Sequence, residues 1–250
     1  MDLKSELYRR VEGIRRELFL TGNEPLGEMK LAAYGARGTV IREVPFRENT
    51  LCGLSVPGHP DIILLSENKP ECVKRFALAH ELIHISLHRE KPGAFMLSRQ
   101  ADGSNGQTPP VDIESVIRVI LACLGDGSLS YEEAKRALGA LAYADPTAER
   151  EANAGAAELL MPWRSFLPMM LDFRASLGMN RYDTFTRFAA RQMRVSRQAA
   201  EIRARELWHP MEVYLRAGDW DAAEAALNDT PAFYDFDDRG TPIPHYSSVS

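Results

Sequence analysis

The run RFALAHELIHISLH, residues 75–88, constrains what this chain can fold into more than any other segment. Phe76, Leu78, Ala79, Leu82, Ile83 and Leu87 recur at helical spacing, so the run reads as a helix with a buried apolar face. Inside it, His80, Glu81 and His84 form an HExxH motif. Residues four apart lie one turn above each other, so both imidazoles can reach one zinc ion about 2 Å away without bending the backbone. Glu81 sits about a third of a turn round. There its carboxylate can border the metal, take a proton from water and return it to a leaving amine. The alternative is a chance pentapeptide on a core helix, but two histidines stacked on a face rich in Leu and Ile need a polar partner, and a shared metal provides one.

A catalytic zinc site takes three protein ligands and leaves a position for water. The third donor is expected at Glu149, in EREAN, with Asn153 one turn on and placed to hydrogen-bond an imidazole of the first helix. Glu151 competes for the role. Two residues along a helix is about 200°, so the spacing predicts that Glu151 points away from the site into solvent. A plain reading of Glu149 is an acidic residue favoured by the start of a helix. The small residues Ala152, Ala154, Gly155, Ala156 and Ala157 let this helix approach the first closely. His88 continues the four-residue series but lies about 12 Å along the axis from His80, too far to share its ion. It reads as a helix-end histidine that satisfies carbonyls.

Around these motifs, Leu3, Leu7, Val11, Ile14 and Leu18 predict an amphipathic opening helix over 3–19. GTVIREVPF, TLCGLSV and DIILLS predict three short strands between Gly38 and Ser66. Residues 90–110 read as a surface loop, followed by helices over 111–124 and from Ser130 to about Tyr143. Further helices are expected at 147–161, 163–177, 181–193, 196–208 and 210–228, before an aperiodic tail. Cys52, Cys72 and Cys123 form an odd set with no CxxC spacing, which disfavours a disulfide framework and favours a reducing, cytoplasmic setting. The charged start MDLKSELYRR has no apolar signal region, and no membrane span is expected.

The net charge of −5 is the wrong sign for general nucleic-acid affinity. A local exception runs from Arg181 to Glu206, where seven arginines face three carboxylates, a net of +4. FAARQMRVSRQAAEIRARELW, residues 188–208, has the outline of a helix-turn-helix with Ser196 as an N-cap. Arg191, Arg194, Arg197 and Arg203 are candidates for docking a protein partner or DNA. A single copy would bind duplex only weakly, and exposed arginines are commonly just a solvated face.

RFALAHELIHISLH followed downstream by EREANAGAAELLMP resembles the ImmA/IrrE family of zinc metallopeptidases over roughly residues 60–208. Two separate motifs occur in the family's order, and the second ends in the matching Leu159–Leu160–Met161–Pro162. The resemblance implies one zinc ion per chain on His80, His84 and Glu149, with Glu81 as general base. It also implies an α+β fold: a small antiparallel sheet packed on a gluzincin-like helical metallopeptidase core, followed by a helix-turn-helix-like region. The corresponding divisions are 1–162, with an insertion at about 90–146, then 163–230, and a flexible tail over 231–250. Two departures stand out: Ile83 where the family usually has Gly, and Gly155 where it usually has Phe. The implied activity is a cytoplasmic metalloprotease that cleaves a helix-turn-helix repressor of a phage, mobile element or stress regulon. The competing reading is a non-proteolytic, zinc-containing regulator that binds DNA or protein; an intact Glu81 favours hydrolysis, since a structural zinc site needs no base.

Overall fold

The computed structural model describes residues 4–45, 51–57, 59–89, 96–99, 146–177, 182–229, 234–236 and 242–244. The opening helix α1 (Lys4–Glu17) buries Leu7, Tyr8, Val11 and Ile14, the apolar stripe that its spacing predicts. A second helix, α2 (Leu26–Arg37), was not anticipated, although Leu26, Met29 and Ala33 give it a buried stripe. It ends at Gly38, whose left-handed φ of 67° lets its N–H reach the carbonyl of Tyr34 at 2.7 Å.

Strands β1 (Val40–Val44), β2 (Leu51–Val56) and β3 (Ile62–Ser66) fall where the β-branched runs place them. A fourth, β4 (Met96–Arg99), joins in the order β1-β3-β2-β4. The sheet is mixed, which corrects the expected antiparallel one: β1 runs parallel to β3, with Ile41 opposite Ile63, while β2 is antiparallel to both β3 and β4. The cause is strand order. β3 inserts between β1 and β2, so these two consecutive strands are not neighbours, and the alternation pattern of a strand carries no information on its partner. All five residues of β3 are buried, as suits a central strand, and its run IILLS is correspondingly unbroken.

Helix α3 (Glu71–Leu87) follows Pro70 and lies against β2 and β3. Its other neighbour is α4 (Pro146–Leu160). These two helices carry the HExxH and EREAN motifs, and Ala79, Leu82, Ile83, Ala152 and Ala156 between them are completely buried. Helices α5 (Trp163–Leu177), α6 (Tyr182–Gln192) and α7 (Arg197–Glu206) match expectation closely. The single helix expected over 210–228 is two, α8 (Trp208–Ala217) and α9 (Trp220–Asp229), because Gly218 adopts φ 65° and caps α8 through Tyr214. One apolar core runs from Leu7 in α1 to Leu227 in α9. Within the expected tail, β5 (Tyr234–Phe236) pairs antiparallel with β6 (Pro242–Pro244). The helices expected at 111–124 and 130–143, and most of the 90–146 insertion, lie outside the described residues. Among the described residues no helix is long and apolar enough to cross a membrane.

Candidate metal centre

The stripe that makes α3 a helix also decides what its histidines meet. Leu78, Ala79, Leu82 and Ile83 bury the helix against the sheet and α4, and His80, Glu81, His84 and His88 are carried inside with them. Facing this stripe, α4 is narrow. A Cβ built on Gly155 would lie 3.0 Å from two Ile83 side-chain carbons, so the two helices are already in contact there. That closeness brings Glu149, two turns before Gly155, over the histidine pair. Its Oε2 is 3.3 Å from His80 Nε2 and its Oε1 is 3.4 Å from His84 Nε2. The two Nε2 atoms are 2.8 Å apart. The three potential donor atoms all lie within 4.8 Å of one another.

The structure thus gathers His80, His84 and Glu149 at one point and places Glu81, wholly buried, beside them. Asn153 meets His80, its Oδ1 3.0 Å from Nδ1. Two readings of neighbouring residues need correction. Glu151 does not point into solvent: its Oε2 is 2.9 Å from His88 Nε2, and its side chain is only 15% exposed. The His88 ring, expected to satisfy helix-end carbonyls, turns instead to side chains: its Nδ1 lies 2.9 Å from His84 Nδ1. The 200° argument fails because a long Glu side chain on α4 needs only to lean toward the end of α3, where a third histidine waits one turn beyond the ligand pair.

Burial works against a charge on His80. The hydrogen bond to Glu149, the charges of Glu81 and Glu149 and the bond to Asn153 outweigh it, and the pKa ends above its ordinary value. At His84 burial prevails over the bond to Glu149, and repulsion by His80 and His88 adds to it, pulling the pKa down to about 3. Burial also opposes the charge on Glu149, yet its bonds to the two imidazoles hold the carboxyl at about 2. The site is therefore a carboxylate facing two nitrogens, one of which keeps a bare lone pair at neutral pH.

Such a donor set fits a divalent cation. If Asn153 Oδ1 accepts from His80 Nδ1–H, the His80 lone pair is on Nε2, aimed at Glu149. Glu149 Oε1 is a buried oxygen that makes only the long 3.4 Å approach to His84 Nε2 and no hydrogen bond of good geometry. Acceptors that converge on acceptors repel unless a cation sits among them, and two imidazoles with one carboxylate form a donor set of catalytic zinc sites.

The arginine candidates divide. Arg191, Arg194 and Arg197 are exposed on α6, α7 and the turn between them, and Arg197 forms an ion pair with Asp183. Arg203 is no docking residue, because it is fully buried. Its guanidinium donates to Met161 O at 3.0 Å, to Tyr8 Oη and Glu206 at 2.7 Å each, and to Glu158. Arg75, which opens the first motif, is likewise buried and spends its donors on the backbone carbonyls of Met193, Arg194 and Gly22. It anchors the α6–α7 turn to α3, the helix that carries HExxH.

Among solved structures, a Mycobacterium tuberculosis transcriptional regulator is similar at 13% identity with a TM-score of 0.41. The similarity covers 84% of this chain but only 46% of that one, so the chain spans about half of its length. No curated protein matches the sequence. Residues 35–116, which include the HExxH motif, match the Peptidase_M78 family model, described as the IrrE N-terminal-like domain.

Proposed function

We propose that this protein is a zinc-dependent metalloendopeptidase of the ImmA/IrrE type whose substrate is a helix-turn-helix transcriptional repressor. The observation that carries the peptidase reading is the convergence of His80 Nε2, His84 Nε2 and a Glu149 oxygen beside the buried Glu81. The match of residues 35–116 to a peptidase family supports it.

His80, His84 and Glu149 would hold the ion. Zinc, when bound, supplies Lewis acidity, which lowers the pKa of water and polarises a carbonyl. Asn153 fixes the His80 ring and leaves its Nε2 as the ligating atom. Glu81 accepts the proton of the attacking water and delivers it to the leaving amine, which a carboxylate does efficiently when its surroundings exclude bulk water. Substrate would be held by α6 and α7, where Arg191, Arg194 and Arg197 offer cations to an acidic face of the repressor. Direct duplex binding is expected to be weak in a chain of net charge −5.

The decisive experiment is Glu81→Gln, which keeps side-chain shape and removes the base. Zinc content and folding should match wild type, while cleavage of the cognate repressor in cells that carry both should cease. Derepression at the wild-type level by that variant would refute proteolysis and favour a regulator that acts by binding. His80→Ala and His84→Ala should each leave the purified chain nearly devoid of zinc, and retention of the metal in both would refute the ligand assignment.

A further inference from the structure

We propose that His88 and Glu151 are positioning residues for the metal centre, forming a hydrogen-bond relay Glu151–His88–His84 that fixes the ring and tautomer of one ligand. The inference rests on the zinc reading above. His84 Nε2 is the atom that faces Glu149, at 3.4 Å. To ligate, it must carry a lone pair, which puts the ring proton on Nδ1. That nitrogen is 2.9 Å from His88 Nδ1, so His84 donates and His88 accepts. The proton of His88 must then reside on Nε2, 2.9 Å from Glu151 Oε2, and a carboxylate accepts it. Each atom has one permitted role, and the chain can be written in one direction only.

The two imidazoles are thereby oriented by different means. His80 leans on Asn153, a neutral amide, whereas His84 leans on a second imidazole backed by a carboxylate. A carboxylate behind an imidazole makes its distal nitrogen a stronger donor to a metal, and removing such partners commonly weakens binding about tenfold to a hundredfold. The relay also joins helices: His88 caps α3, and Glu151 lies in the first turns of α4, next but one to Glu149. The ring of His88 lies 5.0 Å from that of His84, and its side chain is 1% exposed, so water cannot substitute for it.

The test measures zinc affinity of the purified full chain by competition with a chromophoric chelator, alongside the melting temperature of the metal-free form. His88→Phe keeps ring volume and deletes both hydrogen bonds. It should weaken zinc binding about tenfold to a hundredfold, as should Glu151→Ala. Glu151→Gln should lose much less, because its amide oxygen can still accept from His88. A residue that only fills space would give His88→Phe with unchanged zinc affinity, and affinities within twofold of wild type in both His88→Phe and Glu151→Ala would overturn the relay. Should His88→Phe fail to fold, Glu151→Ala, at the more open end, decides alone. His84→Ala separates the two failures: zinc on wild type, none on His84→Ala and no effect of the relay variants sinks the relay and leaves the site standing. A wild-type chain that takes up no zinc overturns both.

Discussion

Helix α4 contributes a glutamate to each of two buried polar clusters, and they are opposites. Near its start, Glu149 faces the Nε2 atoms of His80 and His84. Near its end, Glu158 faces Arg203, which is also paired with Glu206, itself 2.8 Å from Lys4. The second cluster is complete: two cations meet two carboxylates, Tyr8 bridges Arg203 and Glu206, and the Trp163 N–H reaches Glu158 at 3.2 Å. The first gathers two imidazoles and a carboxylate, a group that could hold a metal ion. A buried cluster that balances its own charge holds elements together, while one that does not is suited to bind something, and one helix serves both ends.

The sharpest way to break this contrast is to remove a cation from the complete cluster. Arg203→Met leaves Glu158 and Glu206 facing each other with only Lys4 between charge and burial. Removing one partner of a buried pair costs about 3–5 kcal/mol. Chemical denaturation should show a loss of that order, while the folded fraction keeps its full zinc content. His84→Ala should do the reverse, abolishing zinc with the smaller stability loss. Zinc lost from folded Arg203→Met, or stability unchanged, would mean that the clusters are not separate in function.

The pH dependence of stability should also distinguish them. Burial is the largest influence on Glu158 and raises its pKa to about 7, against the attraction of Arg203 and the Trp163 N–H and with repulsion from Glu206. A carboxyl whose folded pKa lies above its unfolded value near 4.5 binds more protons when native. Its stabilisation is complete below pH 4.5 and disappears as pH rises through 7, at most about 3 kcal/mol. Glu206 has the other sign: burial opposes its charge, but Lys4 and Arg203 hold it at about 2, so its contribution is present above pH 4.5 and disappears as pH falls toward 2. Subtracting the urea midpoints of Glu158→Gln from those of wild type between pH 4.5 and 7 should isolate the first slope. A flat difference would show that Arg203 keeps Glu158 ionised throughout.

The two clusters differ in how far the sequence reveals them. HExxH and EREAN are local patterns, so helix geometry alone predicted that His80, His84, Glu149 and Asn153 meet, though not the course of Glu151, and the strands and most helices followed from apolar spacing. The complete cluster has no such signature. Lys4, Tyr8, Glu158, Arg203 and Glu206 come from three helices spread over the chain, and an arginine among ARARE looks like any solvated one. A hint was present: Lys4 and Tyr8 continue the apolar stripe of α1, and Glu158 sits beside the buried Ala156, Leu159 and Leu160. The relay through His88 was missed for a related reason. Angular position on one helix says where a side chain starts, whereas its partner is set by how the second helix crosses, and that depends on Gly155.

The smallest effect, and the one that tests this crossing, lies between Ile83 and Gly155. In the ImmA/IrrE resemblance the first position is usually Gly and the second Phe; here bulk has moved from one helix to the other, and the two positions touch. A Cβ on Gly155 would stand 3.0 Å from Ile83 Cγ1 and Cγ2 and 3.1 Å from Cδ1. Ile83 is fully buried and β-branched, so it cannot simply turn aside. Gly155→Ala gains about 1 kcal/mol of helix propensity but incurs about 1–3 kcal/mol of overpacking, and the net should be a small destabilisation. In an Ile83→Ala background the overpacking vanishes and the same substitution should stabilise by about 1 kcal/mol. Because α4 carries Glu149 and Asn153 past α3 on this contact, Gly155→Ala should also weaken zinc binding several-fold, and Ile83→Ala should restore it. A double-mutant cycle read by both denaturation and zinc titration measures the coupling. Additivity within about 0.3 kcal/mol would show that the helices can separate at no cost, and that the small residues of α4 do not set the approach of Glu149 to the histidines.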